Sequence, residues 1–346
     1  MYKAGISIFN GLKDYSLEDN LIYMEKARQV GIEMLFSSAH IYEADRSYRD
    51  LQVCLEKANQ LGMKLSLDIS KPAYEKMDHL ENLYALRLDY GFTDDDIIQL
   101  SQEASFFIEL NASTLSNSRF ESLIEKGLDL KHVRVSFNYY PKPYTGHNLM
   151  FCKGRIDYYH QYGISVGAFL PSKVGHRPPL YQGLPSIEEH RYCSLDSAIE
   201  ELKAIGIDEI YFGDAYASDK ELKQLTMHQT ETILLPIQLS SEVPVFYRSY
   251  LKGKHRIRPD FNDVLLRVSA NPNITEFPPF QMVERNRGDI TIDNHNFLRY
   301  KGEINIVLQP LPRDERVNVI GHIEISQIVL NEIQKQKQFM FIMDDM

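Results

Sequence analysis

The first two hundred residues alternate short runs of β-forming residues with segments of helical period. Eight runs predict strands, and helical patterns separate most of them. The predicted strands are 3–9, 34–40, 64–70, 85–91, 106–113, 133–140, 165–171 and 209–214, and the clearest predicted helices are 17–31, 48–62, 94–104, 119–127 and 195–206. Eight successive β/α units favour a parallel sheet closed into a (β/α)8 barrel, also called a TIM barrel. The weakest unit is the link 71–84.

Capping signals support two of these helices. Ser16 stands three residues before Asp19, and Thr93 stands immediately before the acidic run 94–96. A serine or threonine before a helix accepts hydrogen bonds from its first N–H groups, and acidic residues suit the positive end of the helix dipole. We therefore expect helices to begin directly after residues 16 and 93.

The pattern changes after about residue 229, where proline becomes frequent and period-two runs replace helical ones. These runs are 264–268, 289–293, 303–308 and 317–323, and turn residues separate them. Such a pattern predicts a small β-rich domain. The sequence thus divides into a barrel over residues 1–228 and a β-rich domain over residues 229–346.

Composition narrows the class of partner and the compartment. The formal net charge of −10 argues against nucleic acid as the main partner, because phosphate backbones bind clustered cations. Cys54, Cys152 and Cys193 suggest neither a disulfide framework nor a zinc site, which fits a reducing compartment. No run has the length of a membrane span, and the N-terminus predicts a strand rather than a signal peptide. We expect a cytoplasmic protein.

Polar residues alternate with apolar ones along four of the predicted barrel strands. One face carries the apolar residues that must meet the helices, so the other face must line the barrel. The polar positions are Ser66, Asp68 and Ser70; Arg87, Asp89 and Gly91; Glu109, Asn111 and Ser113; and Arg134, Ser136, Asn138 and Tyr140. Asp214 and His40 join them at the ends of two further strands. Active sites of this fold lie at the C-terminal mouth, which predicts a site there.

The residue types leave three interpretations open. Two neighbouring carboxylates suit glycoside cleavage, and the candidates are Asp68, Asp89, Glu109 and Asp214. The same four acids with His40 could hold a divalent metal. The structural alternative is a buried ion network, for example Arg87 with Asp68 or Glu109. Two lysines near strand ends, Lys71 and Lys173, are weaker candidates for a Schiff base.

Two long loops add aromatic and cationic groups. The loop after the sixth strand is 138–146, and the loop after the seventh strand is 171–194. A long loop without secondary structure in a compact domain is usually functional. Aromatic rings there could stack on sugars, while Lys142, Arg177 and Arg191 could bind a phosphate or carboxylate.

Together these motifs resemble the bacterial 6-phospho-N-acetylmuramidase family over essentially the whole chain. The barrel motifs are DIS at 68–70, RLDYG at 87–91, NAS at 111–113, YPKPYTG at 140–146, RPPL at 177–180, GLP at 183–185 and GD at 213–214. The runs RGDITIDN at 287–294 and DERVNVIG at 314–321 resemble the family's second, cyclophilin-like domain. The chain departs from the family pattern at Phe137, where histidine is expected, and at Lys142, where arginine is expected.

The resemblance implies an intracellular glycosidase, and we expect the reaction to need neither metal nor cofactor. Its substrate would be a phosphorylated amino-sugar disaccharide, N-acetylmuramic acid 6-phosphate joined β-1,4 to N-acetylglucosamine, in cell-wall sugar recycling. We expect Asp89 and Glu109 to form the catalytic pair, because adjacent strand ends can bring two carboxylates close. Asp214 is the next candidate, and Asp68 is a candidate for orienting the pair. The expected substrate-binding residues are Arg87, Asn111, Asn138, Tyr140, Lys142, Arg177 and Arg191.

Two other functions remain open from the residues alone. A divalent-metal sugar-phosphate isomerase or epimerase would use His40 with the same acids. A sugar-phosphate sensor would use the β-rich domain as its output, and that domain could instead close over the barrel or form a homodimer. Neither nucleic acid nor membrane is an expected partner.

Overall fold

A computed structural model of the 346-residue chain describes residues 1–39, 48–77, 80, 82–268 and 276–343. The chain forms two compact units, Met1–Gln229 and Thr230–Met346. Among the described residues, no helix combines the length and apolar character needed to cross a membrane. His40 lies outside the described residues.

The first unit is a closed barrel of eight parallel strands in chain order, as the sequence predicts. The strands are β1 (Lys3–Ser7), β2 (Met34–Ser38), β3 (Lys64–Ile69), β4 (Ala85–Leu88), β5 (Phe107–Asn111), β6 (Val133–Ser136), β7 (Val166–Leu170) and β8 (Glu209–Phe212). The helices are α1 (Leu17–Gln29), α2 (Tyr48–Leu61), α3 (Lys71–Tyr74), α4 (Asp94–Glu103), α5 (Asn117–Glu125), α6 (Leu149–His160), α7 (Leu195–Ile205) and α8 (Asp219–Met227). Each strand is thus followed by a helix.

The predicted capping residues lie at the starts of α1 and α4. Ser16 and Asp19 form a reciprocal capping box at α1, and Thr93 and Asp96 form one at α4. In the weak unit after β3, the described residues form a single helix, the four-residue α3. Every strand ends before the last residue predicted for it. Asp89, Ser113, Asn138 and Asp214 therefore lie in the loops at the C-terminal mouth of the barrel.

The barrel interior is polar on one side and aromatic on the other. The interior positions of β3 to β6 carry the predicted polar residues. A buried cluster of Met34, Phe36, Phe169 and Tyr211 comes from β2, β7 and β8. Phe36 and Phe169 meet edge to face with ring centroids 5.0 Å apart. The mouth therefore has a charged half and an apolar half, which the alternation in β3 to β6 does not predict.

The second unit is built on an antiparallel sheet of strand order β10-β14-β12-β13-β11 and a two-stranded parallel sheet of β9 and β15. Its elements are β9 (Ile233–Pro236), β10 (Gln238–Leu239), α9 (Val245–Tyr250), β11 (Leu265–Val268), β12 (Asp289–Asp293), β13 (Ile304–Val307), β14 (Val317–His322), α10 (Gln327–Gln334) and β15 (Phe339–Ile342). A 3-10 segment, His295–Tyr300, follows β12. The four predicted period-two runs coincide with β11 to β14. This confirms a β-rich second region.

Candidate active site

A ladder of alternating acids and arginines crosses the polar half of the barrel interior. The strand register places Asp68 opposite Arg87, Arg87 opposite Glu109, and Glu109 opposite Arg134. Arg87 Nη1 lies 2.7 Å from Asp68 Oδ1, and Arg134 Nε lies 2.9 Å from Glu109 Oε2. Each buried charge thus has an opposite charge beside it, which offsets the cost of removing it from water.

Glu109 is the most enclosed carboxylate of this ladder, with a residue exposure of 1%. It accepts hydrogen bonds from the hydroxyls of Ser66, at 2.8 Å, and Ser136. Arg87 Nε lies 3.7 Å from Glu109 Oε1, in addition to the contact with Arg134. Both carboxylate oxygens of Glu109 are therefore occupied by donors from the protein. This environment fits the buried ion network that the sequence left open for individual residues.

The level above the ladder opens towards the mouth. Arg87 Nη2 donates to Asn138 Oδ1 at 2.5 Å, and Asn111 Nδ2 donates to the same oxygen at 3.0 Å. Asn138 is held from behind, because its backbone N–H donates to Ser113 Oγ at 2.8 Å. Asp89 follows β4 directly and is exposed at this level. The register that pairs Arg87 with Glu109 brings Asp89 to the level of Asn111.

Tyr139 and Arg177 stand at the apolar side of the mouth. The Tyr139 ring packs on Phe169, with centroids 5.2 Å apart, and also contacts Phe9 and Phe36. The Arg177 guanidinium carbon lies 4.7 Å from the Phe9 ring centre and 5.7 Å from that of Tyr139. Burial raises the pKa of Tyr139 and nearby Asp68 adds to this, whereas Arg177 and Arg87 lower it. The sequence pattern does not single out Tyr139. Because β6 ends at Ser136, the alternation of polar and apolar positions does not extend to residue 139.

Asp214 lies at the end of β8 beneath the loop that follows β7. Its Oδ2 accepts hydrogen bonds from the backbone N–H groups of Ser172, at 3.0 Å, and Leu184, at 3.2 Å. Its Oδ1 is buried and meets no hydrogen-bond donor with good geometry among the described residues. Burial raises the pKa of Asp214 to about 6, although His176 and backbone N–H groups, including that of Arg177, lower it. A carboxyl with this pKa keeps its proton up to about pH 6, well above the range of an ordinary aspartate.

The loops after β6 and β7 are fastened together by Arg191 and Glu188. Arg191 donates to both Glu188 oxygens, at 2.7 and 3.0 Å, and to the carbonyls of Gln182, Gly183 and Tyr140. Glu188 in turn accepts the backbone N–H groups of Tyr144 and Gly146. Arg191 lowers the pKa of Glu188 to about 2, so this carboxylate is ionised. The donors of Arg191 are therefore committed to holding the two loops.

The comparison with known proteins matches both units. The family described as 6-phospho-N-acetylmuramidase, N-terminal, matches residues 4–227, and its C-terminal counterpart matches residues 233–342. The chain belongs to this family. The resemblance that the motifs indicate is confirmed.

Two solved structures resemble this 6-phospho-N-acetylmuramidase family member over almost its whole length. A conserved Enterococcus faecalis protein of unknown function has 30% identity and a TM-score of 0.78, covering 99% of this chain and 96% of its own. An uncharacterized Bacillus cereus protein has 26% identity and a TM-score of 0.83, covering 99% of this chain and all of its own. A search of curated proteins finds no match.

The two departures from the family pattern occupy different environments. Phe137 follows β6 directly and is fully buried, and its ring meets that of His147 edge to face with centroids 6.0 Å apart. Lys142 is exposed on the loop after β6. Tyr140 lies between them and its hydroxyl is 2.9 Å from His147 Nε2. A change at Phe137 therefore affects loop packing, whereas a change at Lys142 affects a cation in contact with solvent.

The other interpretations involve a set of metal ligands, of which His40 is outside the described residues, and two lysines. Within the described ranges, no three side chains of histidine, cysteine, aspartate or glutamate cluster as metal ligands would. Lys71 lies 2.7 Å from Asp96 on the neighbouring helix, and Lys173 Nζ donates to the Cys193 carbonyl at 2.9 Å. Both lysines are thus held by protein acceptors outside the ladder.

Proposed function

We propose that this chain hydrolyses a 6-phosphorylated amino-sugar disaccharide, N-acetylmuramic acid 6-phosphate joined β-1,4 to N-acetylglucosamine. The observation that carries the proposal is the family match over both units, together with a barrel mouth rich in carboxylates and amides. The substrate is anionic, and we place the reaction in the cytoplasm as part of cell-wall sugar recycling. Neither a metal nor a cofactor takes part in the proposed reaction.

We assign the proton donor to Asp214. A general acid works best when its pKa lies near the operating pH, and burial brings that of Asp214 to about 6. Its Oδ1 has no donor with good geometry among the described residues, so a leaving-group oxygen would supply a partner. The loop residues Ser172 and Leu184 close over it, and we propose that substrate binding moves this part of the loop.

We assign the second carboxylate to Asp89, which is exposed to an incoming sugar at the mouth. Asp68 takes a positioning role, because it holds Arg87, and Arg87 in turn holds Asn138. Glu109, which the sequence ranks with Asp89, takes a supporting role below them because its oxygens are occupied by protein donors.

The substrate's polar groups would meet donors around the same opening. Asn111 and the Nδ2 group of Asn138 can bind hydroxyl or acetamido groups, and the Tyr139 ring offers a surface for a sugar. Lys142 and Arg177 are the proposed phosphate partners. Arg191 has no place in this set, since its donors hold the loops.

The test of the activity is incubation of the full chain with the phosphorylated disaccharide, with and without EDTA, followed by mass spectrometry. Appearance of the two monosaccharides in both samples is the expected result. An intact disaccharide in both would contradict the proposed hydrolysis. Cleavage that EDTA abolishes would instead favour metal-dependent chemistry, for which His40 and the acids are the candidates.

The assignment of roles is tested with amide variants on two substrates. A nitrophenyl 6-phosphoglycoside has a good leaving group that needs little protonation. The turnover of Asp214→Asn should therefore fall much less with the nitrophenyl substrate than with the disaccharide. The turnover of Asp89→Asn should fall by orders of magnitude with both substrates. Asp157→Asn is the control, because Asp157 pairs with Lys153 on the outer surface of α6. Equal losses of Asp214→Asn on both substrates would remove Asp214 as the acid.

A further inference from the structure

The antiparallel sheet of the second unit carries a cavity of about 250 Å³ on its polar face. The opposite face of the sheet is apolar, with Ile290, Ile292 and Ile304 fully buried. Residues that alternate with them line the cavity floor, and the 3-10 segment His295–Tyr300 supplies part of the wall. The cavity therefore lies inside this unit and belongs to its own fold.

Three polar side chains with low exposure line the floor of the cavity. Thr291, Asn305 and Asp293 are 1%, 5% and 8% exposed, and Thr291 and Asn305 face each other across β12 and β13. Polar groups that border a cavity can take their hydrogen-bond partners from water or from a ligand. A ligand that hydrogen-bonds to all three would supply such partners.

The charges around the cavity favour a neutral ligand. Arg267 forms a two-pronged ion pair with Glu303, with Nη2 2.8 Å from Oε2, and Arg285 donates to the Pro312 carbonyl at 2.6 Å. An anionic ligand would meet Asp293 and Glu303, and a cationic ligand would meet the two arginines. Burial, followed by the charge of Glu303, raises the pKa of Asp293 to about 7, so near neutral pH it can donate or accept a hydrogen bond.

The wall supplies aromatic surface next to these polar groups. Phe297 and Tyr300 both line the cavity, and their rings meet at 87° with centroids 6.5 Å apart. Tyr300 is about half exposed, so part of its ring remains open to a ligand. The volume is below the range of roughly 300–1,000 Å³ that is usual for drug-sized ligands, and it suits a ligand of monosaccharide size.

We infer that this cavity binds one neutral sugar ring, with its hydroxyls on Thr291, Asn305 and Asp293 and its C–H face on Tyr300 or Phe297. A hydroxyl-rich neutral ring matches the floor, the balanced charges and the aromatic wall together. The residues of this site all belong to the second unit, and the inference does not depend on the hydrolysis proposed for the barrel.

The test is ligand-observed saturation-transfer NMR and titration calorimetry on the full chain, with glucose and N-acetylglucosamine as probes. Both or one of them should bind the wild type, and Asn305→Ala and Tyr300→Ala should weaken binding at least tenfold. Leu298→Ala is the matched control, because Leu298 belongs to the same 3-10 segment, is 77% exposed and does not line the cavity. It should bind as the wild type does.

Two results would overturn the inference. One is the absence of saturation transfer to either probe at tens of millimolar sugar. The other is unchanged binding in both Asn305→Ala and Tyr300→Ala, which would place the bound sugar elsewhere. Tyr300 is half exposed, so its variant keeps the test decisive even if Asn305→Ala fails to fold.

Discussion

Replacing Glu109 by glutamine separates a structural carboxylate from a catalytic one. Glutamine keeps the shape of the side chain but offers one acceptor oxygen in place of two. Its amide NH2 must then face a donor, either Ser136 on one side or Ser66 and Arg134 on the other. At least one buried donor loses its acceptor, and the ion pair with Arg134 loses its charge.

The expected cost follows from these contacts. Hydrogen bonds to charged groups contribute about 1.5–3 kcal/mol and neutral ones about 1 kcal/mol, and breaking a buried ion pair costs about 3–5 kcal/mol. In the variant, Arg87 still has its ion pair with Asp68, and Arg134 still has its ion pair with Glu209. We therefore expect a loss of stability at the lower end of the range for a broken ion pair, about 3 kcal/mol. For a unit of this size that corresponds to a fall in melting temperature of roughly 6–12 °C.

The assay pairs thermal unfolding, followed by circular dichroism, with turnover of the disaccharide. Asp89→Asn is the matched variant. Because the Asp89 side chain is exposed, the free energy of unfolding should change by less than about 0.5 kcal/mol. Its turnover should fall by a factor of about 10²–10⁴. A Glu109→Gln protein that melts within 2 °C (about 0.5 kcal/mol) of the wild type yet has lost its turnover would refute the supporting role and restore Glu109 to the catalytic pair.

Three further predictions follow from the perturbed acids and the loop cation. Asp214 acts in its protonated form, so kcat/KM should fall as pH rises above about 6, and this limb should be missing from the residual activity of Asp214→Asn. Asp293 has a pKa of about 7 in the folded protein and near 3.9 when unfolded; stability should therefore decrease from about pH 4 to pH 7. Asp293→Asn should remove that slope in urea titrations and gain at most about 4 kcal/mol at pH 8. Lys142→Arg should lower KM for the phosphorylated substrate and Lys142→Ala should raise it, with little change in kcat for either; equal kinetics in both would exclude Lys142 as a phosphate partner.

The sequence predicts the barrel and the polar half of its interior because alternation along β3 to β6 has a single physical meaning. An apolar face must meet helices, so Asp68, Arg87, Glu109 and Arg134 must face inward. Alternation does not specify register, however. The acid that each arginine meets depends on how neighbouring strands are staggered. In the structure this stagger places Glu109 between Arg87 and Arg134.

Alternation of polar and apolar residues does not predict the apolar half of the mouth. Phe36 ends an unbroken apolar run in β2, and Phe169 belongs to β7, which has no polar side chain. In such runs the inward face has no sequence signal. Tyr139 lies in a loop, where the period of two no longer applies. The burial of Asp214 depends on a loop folding back over β8, so its raised pKa is a property of tertiary structure.

The clamp formed by Arg191 and Glu188 has a consequence for how the specificity of this mouth can change. One carboxylate accepts N–H groups from the loop after β6, and one guanidinium binds carbonyls of both loops. Insertions or deletions in one loop would displace the other, so the two segments are constrained to diverge in concert. New substrate preferences should therefore arise by exchange of side chains such as Lys142 on a conserved backbone path, or by replacement of both loops together.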